Sequence, residues 1–191
     1  ITSGWRMNVG GVHKLIGVNP DIVVYGKTIA NGIPMGIILG KKKIMKSSLN
    51  TFISSALWTE RLGPACALEF IKKFRKNKFH KKIISNGKKI KSIWYKNAKK
   101  YNLNIEIKGI DALASFKIRE KNWPAIITYF IQEMLIKHNI IANSQCYANY
   151  MHTPKLLKKY DKAVSDVFYK ISKLNQEGKL EKNLLGPIKQ M

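Results

Sequence analysis

The sequence predicts an α/β fold in two parts. Three observations carry the prediction. Short β-branched runs sit between glycines in roughly the first sixty residues. Two helical apolar patterns follow, and then a second alternation of strand and helix patterns closes the chain.

Taken in order, Asp21-Ile22-Val23-Val24-Tyr25 follows Asn19-Pro20 and stops at Gly26, which predicts a buried strand. Ile37-Ile38-Leu39 lies between Gly36 and Gly40 and predicts a second buried strand. Lys41 to Ser48 reads as a short helix with Ile44 and Met45 turned inward. Pro64 suits a helix start, with Ala65, Leu68, Ile71 and Phe74 as apolar positions and Cys66 in the core. A longer helix is predicted from about His80 to Tyr101. Ile83, Ile84, Ile90, Ile93, Trp94 and Ala98 form its stripe, lysines fill its other face, and it reads as a connector between domains.

Leu103 to Ile107 alternates as a half-buried strand does, with Asp111 to Ile118 as partner through the Gly109 turn. Trp123 to Lys137 reads as a helix with Pro124 in its first turn, and Asn139 to Ala142 as a short strand. Thr153-Pro154 is an N-cap followed by proline at the first helical position. Leu156, Leu157, Tyr160, Ala163, Val164, Val167, Phe168 and Ile171 then mark a long amphipathic helix. The expected division is residues 1–78 and 79–191.

Composition bounds the function. The chain has 191 residues, 45% of them hydrophobic and 10% aromatic, which is a globular balance. No run approaches the ~20 apolar residues of a membrane span. Ile1 to Gly11 has none of the features of a signal peptide. The Ile1 start and the Gly186-Pro187-Ile188-Lys189-Gln190-Met191 close both read as cut ends, so a fragment is expected. The formal charge of +24 raises a basic nucleic-acid-binding module as the competing class. However, all the basic residues but Arg6, Arg61, Arg75 and Arg119 are lysine, and they are spread along the chain. Base readers favour arginine concentrated with aromatics, so no nucleic acid is expected. Cys66 and Cys146 form no CxxC pair, and His13, His80, His138 and His152 show no ligand spacing. No metal site and a reducing cytoplasm are expected.

The stretch that carries chemistry is Asp21 to Pro34. It places Lys27 directly after a strand, between Gly26 and Gly32. Strand ends of α/β sheets open on ligand crevices, and a partly desolvated lysine there is a nucleophile suited to Schiff-base formation. On spacing alone a solvated turn lysine is the favoured reading. Gly26-Lys27-Thr28 imitates the end of a phosphate-binding P-loop, but Asp21 holds the place of its first glycine and the residues between are strand-like.

Thr2-Ser3-Gly4-Trp5-Arg6, Gly17-Val18-Asn19-Pro20-Asp21 and Gly26-Lys27-Thr28-Ile29-Ala30-Asn31-Gly32-Ile33-Pro34-Met35-Gly36 together resemble class III aminotransferases of the glutamate-1-semialdehyde aminomutase-like branch. The resemblance implies the second part of a fold type I large domain followed by a small C-terminal α/β domain. It implies pyridoxal 5′-phosphate (PLP) as cofactor and Lys27 as the catalytic lysine that binds it. Thr59, by its offset from Pro64, falls where the family has a threonine reaching the PLP phosphate of the other subunit, so a homodimer with shared active sites is implied. The substrates implied are a small-molecule amino donor and a carbonyl acceptor of sugar or aldehyde type. Trp58-Thr59-Glu60-Arg61-Leu62-Gly63 departs from the glycine- and asparagine-containing loop of the aminomutase proper. That favours a transaminase and leaves the 2,1-aminomutase as the alternative. The family's aspartate for the pyridine nitrogen falls upstream of Ile1, so this fragment alone is expected to be inactive. His152 is expected at a helix entrance for structural reasons.

Overall fold

The computed structural model describes residues 1–57 and 59–188. Trp58, quoted in the loop before Pro64, and Lys189, Gln190 and Met191, quoted in the closing segment, lie outside the described residues. The chain forms two compact units, one covering residues 1–82 and one from Ile83 onward.

In the first unit β1 (Ile22–Tyr25) and β2 (Ile37–Gly40) pair antiparallel, with Tyr25 opposite Ile37 and Ile22 opposite Gly40. Both strands form where the sequence puts them, but they are not buried. Ile22, Val24, Ile38 and Leu39 are all exposed. A two-stranded ribbon has no neighbouring strand or helix layer to cover its faces. A short helix, α1 (Lys42–Met45), continues as a 3₁₀ turn, Lys46–Asn50. Of its two apolar residues only Met45 is partly covered, and Ile44 is exposed.

Helix α2 (Leu62–Lys76) starts two residues before Pro64. Of the expected face Phe74 is buried and Ile71 half-buried, but Ala65 and Leu68 are exposed, and Gly63 and Ala67 are buried in their place. The reason is the Trp5 indole, which takes Phe70 and Phe74 edge-on at 5.8 and 5.7 Å and so fixes which side of α2 turns inward. Cys66 is consequently half-buried and not core. The core of this unit is an aromatic cluster of Trp5, Tyr25, Phe70 and Phe74, joined by Ile29 and Ala30.

Helix α3 (Phe79–Lys100) carries the predicted stripe: Ile83, Ile90, Ile93, Trp94 and Ala98 are buried. The second unit is built on it. Strands β3 (Ile105–Lys108), β4 (Leu113–Ile118) and β5 (Gln145–Tyr147) form an antiparallel sheet in that order. Ala114, Phe116 and Ile118 face inward from β4, at the two-residue period of a strand with one face covered. Phe116 meets Trp94 at 4.9 Å, Phe130 of α4 (Trp123–His138) at 5.3 Å and Phe168 of α5 (Pro154–Gln176) at 5.8 Å. Three helices thus cover one face of the sheet.

The strand expected at Asn139 to Ala142 does not form. Asn139 takes a left-handed conformation (φ 51°) and closes α4, with Ile140 N–H bonding back to the Met134 carbonyl at 2.9 Å. That closure uses the residues a strand would need. The third strand forms a few residues later, where Ala114 pairs with Cys146. Thr153 caps α5 as expected, its hydroxyl oxygen accepting from Leu156 N–H at 3.3 Å.

Gly87 fixes the seat of α3. A Cβ there would lie 1.8 Å from the Asp111 carbonyl oxygen, a backbone atom just before β4. Gly87→Ala is expected to destabilise the unit by at least about 2 kcal/mol through forced displacement of the helix. Urea unfolding followed by tryptophan fluorescence checks this, and an unchanged midpoint would show that the hairpin can yield.

Candidate cofactor site

Lys27 sits two residues after β1 ends, on a turn locked from within. Ile29 and Ala30 are 2% and 5% exposed, and Asn31 N–H bonds the Lys27 carbonyl at 2.9 Å. Apolar burial on the far side of the turn turns Lys27 outward. The side chain is exposed, not partly desolvated as the sequence reading expects. The described residues supply no layer over it.

The backbone at Lys27 is left-handed, with φ 49°, and Asn31 and Gly32 follow at 48° and 97°. Glycine or asparagine is the ordinary choice there, and a lysine is held at a cost of roughly 1 kcal/mol.

Thr59 is exposed, in the turn that leads into α2. The segments after Lys27 and after Thr59 meet. A cavity of about 170 Å³ is walled by Ile33, Pro34 and Met35 on one side and by Leu57, Glu60 and Gly63 on the other. Gly63 allows this approach, because a Cβ there would lie 3.0 Å from Met35 Sδ. Arg61 is exposed at the start of α2.

Two polar atoms near the end of β1 have no role in the sequence reading. Thr28 Oγ1 and Trp5 Nε1 are buried without a hydrogen-bond partner. An unsatisfied buried donor costs on the order of 1–3 kcal/mol, and in a native structure it asks for a ligand or water. Thr28 has a sequence signal only by adjacency to Lys27, where Gly-Lys-Thr reads as a P-loop decoy. An outward primary amine fits an aldehyde cofactor, and the Thr59 hydroxyl ahead of a fifteen-residue helix is a separate group that suits a phosphate.

His152 immediately precedes the Thr153 cap, the helix entrance expected of it, and its Nδ1 is buried without a partner. Burial holds the imidazole below its usual range. It shares a cavity of about 440 Å³ with Cys146 and Tyr160. Burial pushes the Cys146 thiol up to about 11 and raises the Tyr160 hydroxyl as well. A thiol that high is inert as a nucleophile at neutral pH. Among the described residues no group of three or more His, Cys, Asp or Glu could hold a metal ion, and no helix is long and apolar enough to cross a membrane.

No protein-family model matches the chain. Similarity to curated proteins is nonetheless extensive. The 3-aminobutyryl-CoA aminotransferase of Cloacimonas acidaminovorans is 25% identical over 179 residues, covering 91% of this chain and 43% of that protein. The glutamate-1-semialdehyde 2,1-aminomutase of Methanococcus maripaludis is 21% identical over 190 residues, covering 90% of this chain and 44% of that enzyme. Among solved structures, the PLP internal aldimine form of the Sphingopyxis FumI protein superposes with a TM-score of 0.82. The two are 18% identical, and the match covers 91% of this chain and 42% of that one. The chain therefore has the fold of the C-terminal portion of PLP transaminases. It resembles class III aminotransferases of the glutamate-1-semialdehyde aminomutase-like branch, and it spans less than half the length of the relatives it matches.

The left-handed backbone at Lys27 yields a prediction. Lys27→Gly should be more stable than Lys27→Ala by about 1 kcal/mol, because only glycine relaxes at that φ. Thermal denaturation of the two variants measures it. Equal midpoints would mean the turn is not held left-handed in solution.

Proposed function

We propose that this chain is the lysine-bearing part of a PLP-dependent aminotransferase. Residues 1–78 would complete the cofactor-binding large domain, and residues 79–191 would form the connector helix and the small domain. The observation that carries the reading is Lys27 itself. Its amine faces outward from a left-handed turn at the end of β1, in a chain whose fold is shared with transaminases.

PLP, when bound, supplies an electron sink for the charge left at a substrate α-carbon. Lys27 would hold the cofactor's aldehyde carbon through Nζ and yield it to the amine of an amino donor. Its freed Nζ then takes the proton from the donor's α-carbon. The turn keeps that amine in place through the backbone: Ile29 and Ala30 pin it, and Asn31 closes it on the Lys27 carbonyl. Thr28 Oγ1 would find at the cofactor the partner it lacks within the chain. Thr59 would donate its hydroxyl proton to a phosphate oxygen of the partner subunit's cofactor, with the N–H groups of α2 behind it. A homodimer is the assembly proposed, because Thr59 would serve the partner's site, and the cytoplasm is the compartment proposed. The acceptor proposed is a sugar- or aldehyde-type carbonyl. The 2,1-aminomutase remains the second reading, supported by the similarity to that enzyme.

Borohydride reduction of the full-length protein with PLP, followed by peptide mass spectrometry, tests the lysine. Phosphopyridoxyl on Lys27 is the expected result. A folded protein with excess PLP and an unmodified Lys27 peptide would overturn the reading. For the threonine, Thr59→Ala is expected to raise the dissociation constant for PLP about tenfold, as loss of one hydrogen bond to a charged phosphate does. An absorbance titration reads it, and an unchanged constant would leave Thr59 a turn residue only.

A further inference from the structure

The aminotransferase reading leaves the charge of the chain unused. Lysine is spread through the sequence, but the second unit concentrates some of it. Helices α3 and α5 run side by side in the same direction, tied at successive levels. Trp94 Nε1 donates to Tyr160 Oη at 2.8 Å, Asn97 Nδ2 donates to Asp161 Oδ1 at 2.8 Å, and the Tyr101 and Ser165 hydroxyls meet at 2.9 Å. Along this seam lies a cleft of about 390 Å³ lined by Lys96, Asn97, Lys100, Asp161, Lys162 and Ser165.

The polar atoms of the cleft sort into two groups. Asp161 is fully engaged, with one oxygen taken by Lys96 and the other by Asn97. Asn97 uses its second proton on the Ile93 carbonyl at 2.9 Å. Lys96 and Asp161 therefore cancel in charge. Lys100 and Lys162 remain as two exposed lysines lining one cleft from two helices, the Lys100 ammonium resting against the Tyr101 ring at 4.9 Å. Lys89 lies two turns before Lys96 on α3, and Lys158 one turn before Lys162 on α5, so both exposed residues extend the same two faces. Side chains one turn apart on a helix have their Cβ atoms roughly 5–6 Å from each other, which places Lys158 beside Lys162. With Lys96 cancelled, the positive charge at the cleft comes from Lys100 on one helix and Lys162 on the other.

We propose that this cleft binds a linear oligophosphate, a chain of several linked phosphate groups. Lysine ammonium groups act as compact point charges toward phosphate oxygens, and two of them reaching one cleft from different helices suit an anion that carries charge on more than one phosphate group. A nucleic-acid strand is disfavoured by the lining. None of its six residues is aromatic, so the cleft itself offers bases no stacking platform. The cleft does not involve Lys27 or Thr59, and its binding stands or falls apart from the aminotransferase reading.

The test uses the full-length protein with tripolyphosphate as probe, by titration calorimetry at about 0.1 M salt, where loose surface charge is largely screened. Saturable binding is expected, weakened at least about tenfold by the double substitution Lys100→Gln/Lys162→Gln. The charge-matched double substitution Lys42→Gln/Lys43→Gln, on α1, should change it less than about twofold if the site is the cleft and not the net charge. Acetic anhydride footprinting of the unsubstituted protein gives a readout that needs no variant. Tripolyphosphate should protect Lys100 and Lys162 and leave Lys42 and Lys43 reactive. Absence of saturable binding, equal losses in the two double variants, equal tightness toward a polythymidine strand, or no protection of Lys100 and Lys162 would each overturn the proposal.

Discussion

The second unit depends on one close approach, the backbone of Asp111 against the bare face of α3 at Gly87. Because no Cβ stands between them, the helix comes down onto the chain that leads into β4. That brings Trp94, one side of the same helix and two turns on, over Phe116 of β4. Phe116 in turn touches Trp123, Phe130 and Phe168, so the aromatic core of all three helices is indexed to one side chain. The polar seam follows from the same placement. Once Trp94 is seated, its indole N–H has Tyr160 within reach, and Asn97 a turn later has Asp161. Buried polar groups in such a seam specify register more than they add stability, since each must find its own partner or cost the fold.

The first unit is organised differently. Its core is a small aromatic cluster around Trp5, and much of its apolar surface stays outside. Ile22, Val24, Ile38 and Leu39 on the strand pair are exposed, and so are Leu49, Phe52, Ile53 and Leu57 in the segment leading to Thr59. A patch of this extent is an interaction surface in an ordinary protein. It fits the proposed role, in which β1 and β2 belong to a larger large-domain sheet and the Thr59 loop meets a second subunit. The second unit has its sheet covered on one face by its own helices, although Ile141, Met151 and Leu185 also stand exposed.

How much of this was legible depends on whether the signal was local. The Lys27 turn was readable because glycines and a strand end announce it in consecutive residues. Thr153-Pro154, the Gly109 turn and the stripe of α3 were readable for the same reason. The face of α2 was not, since Ala65 and Leu68 suit helical spacing as well as Ala67 does, and Trp5, sixty-odd residues earlier, decides between them. The strand expected at Asn139 failed to a competing local rule: asparagine in the left-handed conformation closes a helix better than it starts a strand. Asn86 and Asn97 are no part of the stripe read from the sequence, yet both are buried, with Asn149 and Asp161 as partners. Thr28 could not be assigned at all, because what singles it out is a missing partner, and sequence does not display those.

The exposure of Lys27 bears on where the chemistry of the proposed enzyme is made. A lysine that must exchange a carbonyl partner needs its amine held in a fixed place and its charge disfavoured. These are separate tasks with separate physical causes. Placement is a backbone property, and this chain supplies it through the left-handed turn pinned by Ile29 and Ala30. Disfavouring the charge requires removal from water or a neighbouring cation, and both come from groups that pack over the side chain. Within the described residues the side chain stands in solvent, so on the proposed reading activation would have to come from groups other than these. Substitutions at Asn31 or Ala30 would then act on where the amine sits, and substitutions in whatever segment covers Lys27 would act on its reactivity. The strain carried at Lys27 also falls to this chain alone, because it resides in the backbone and is present whether or not the covering segments are in place.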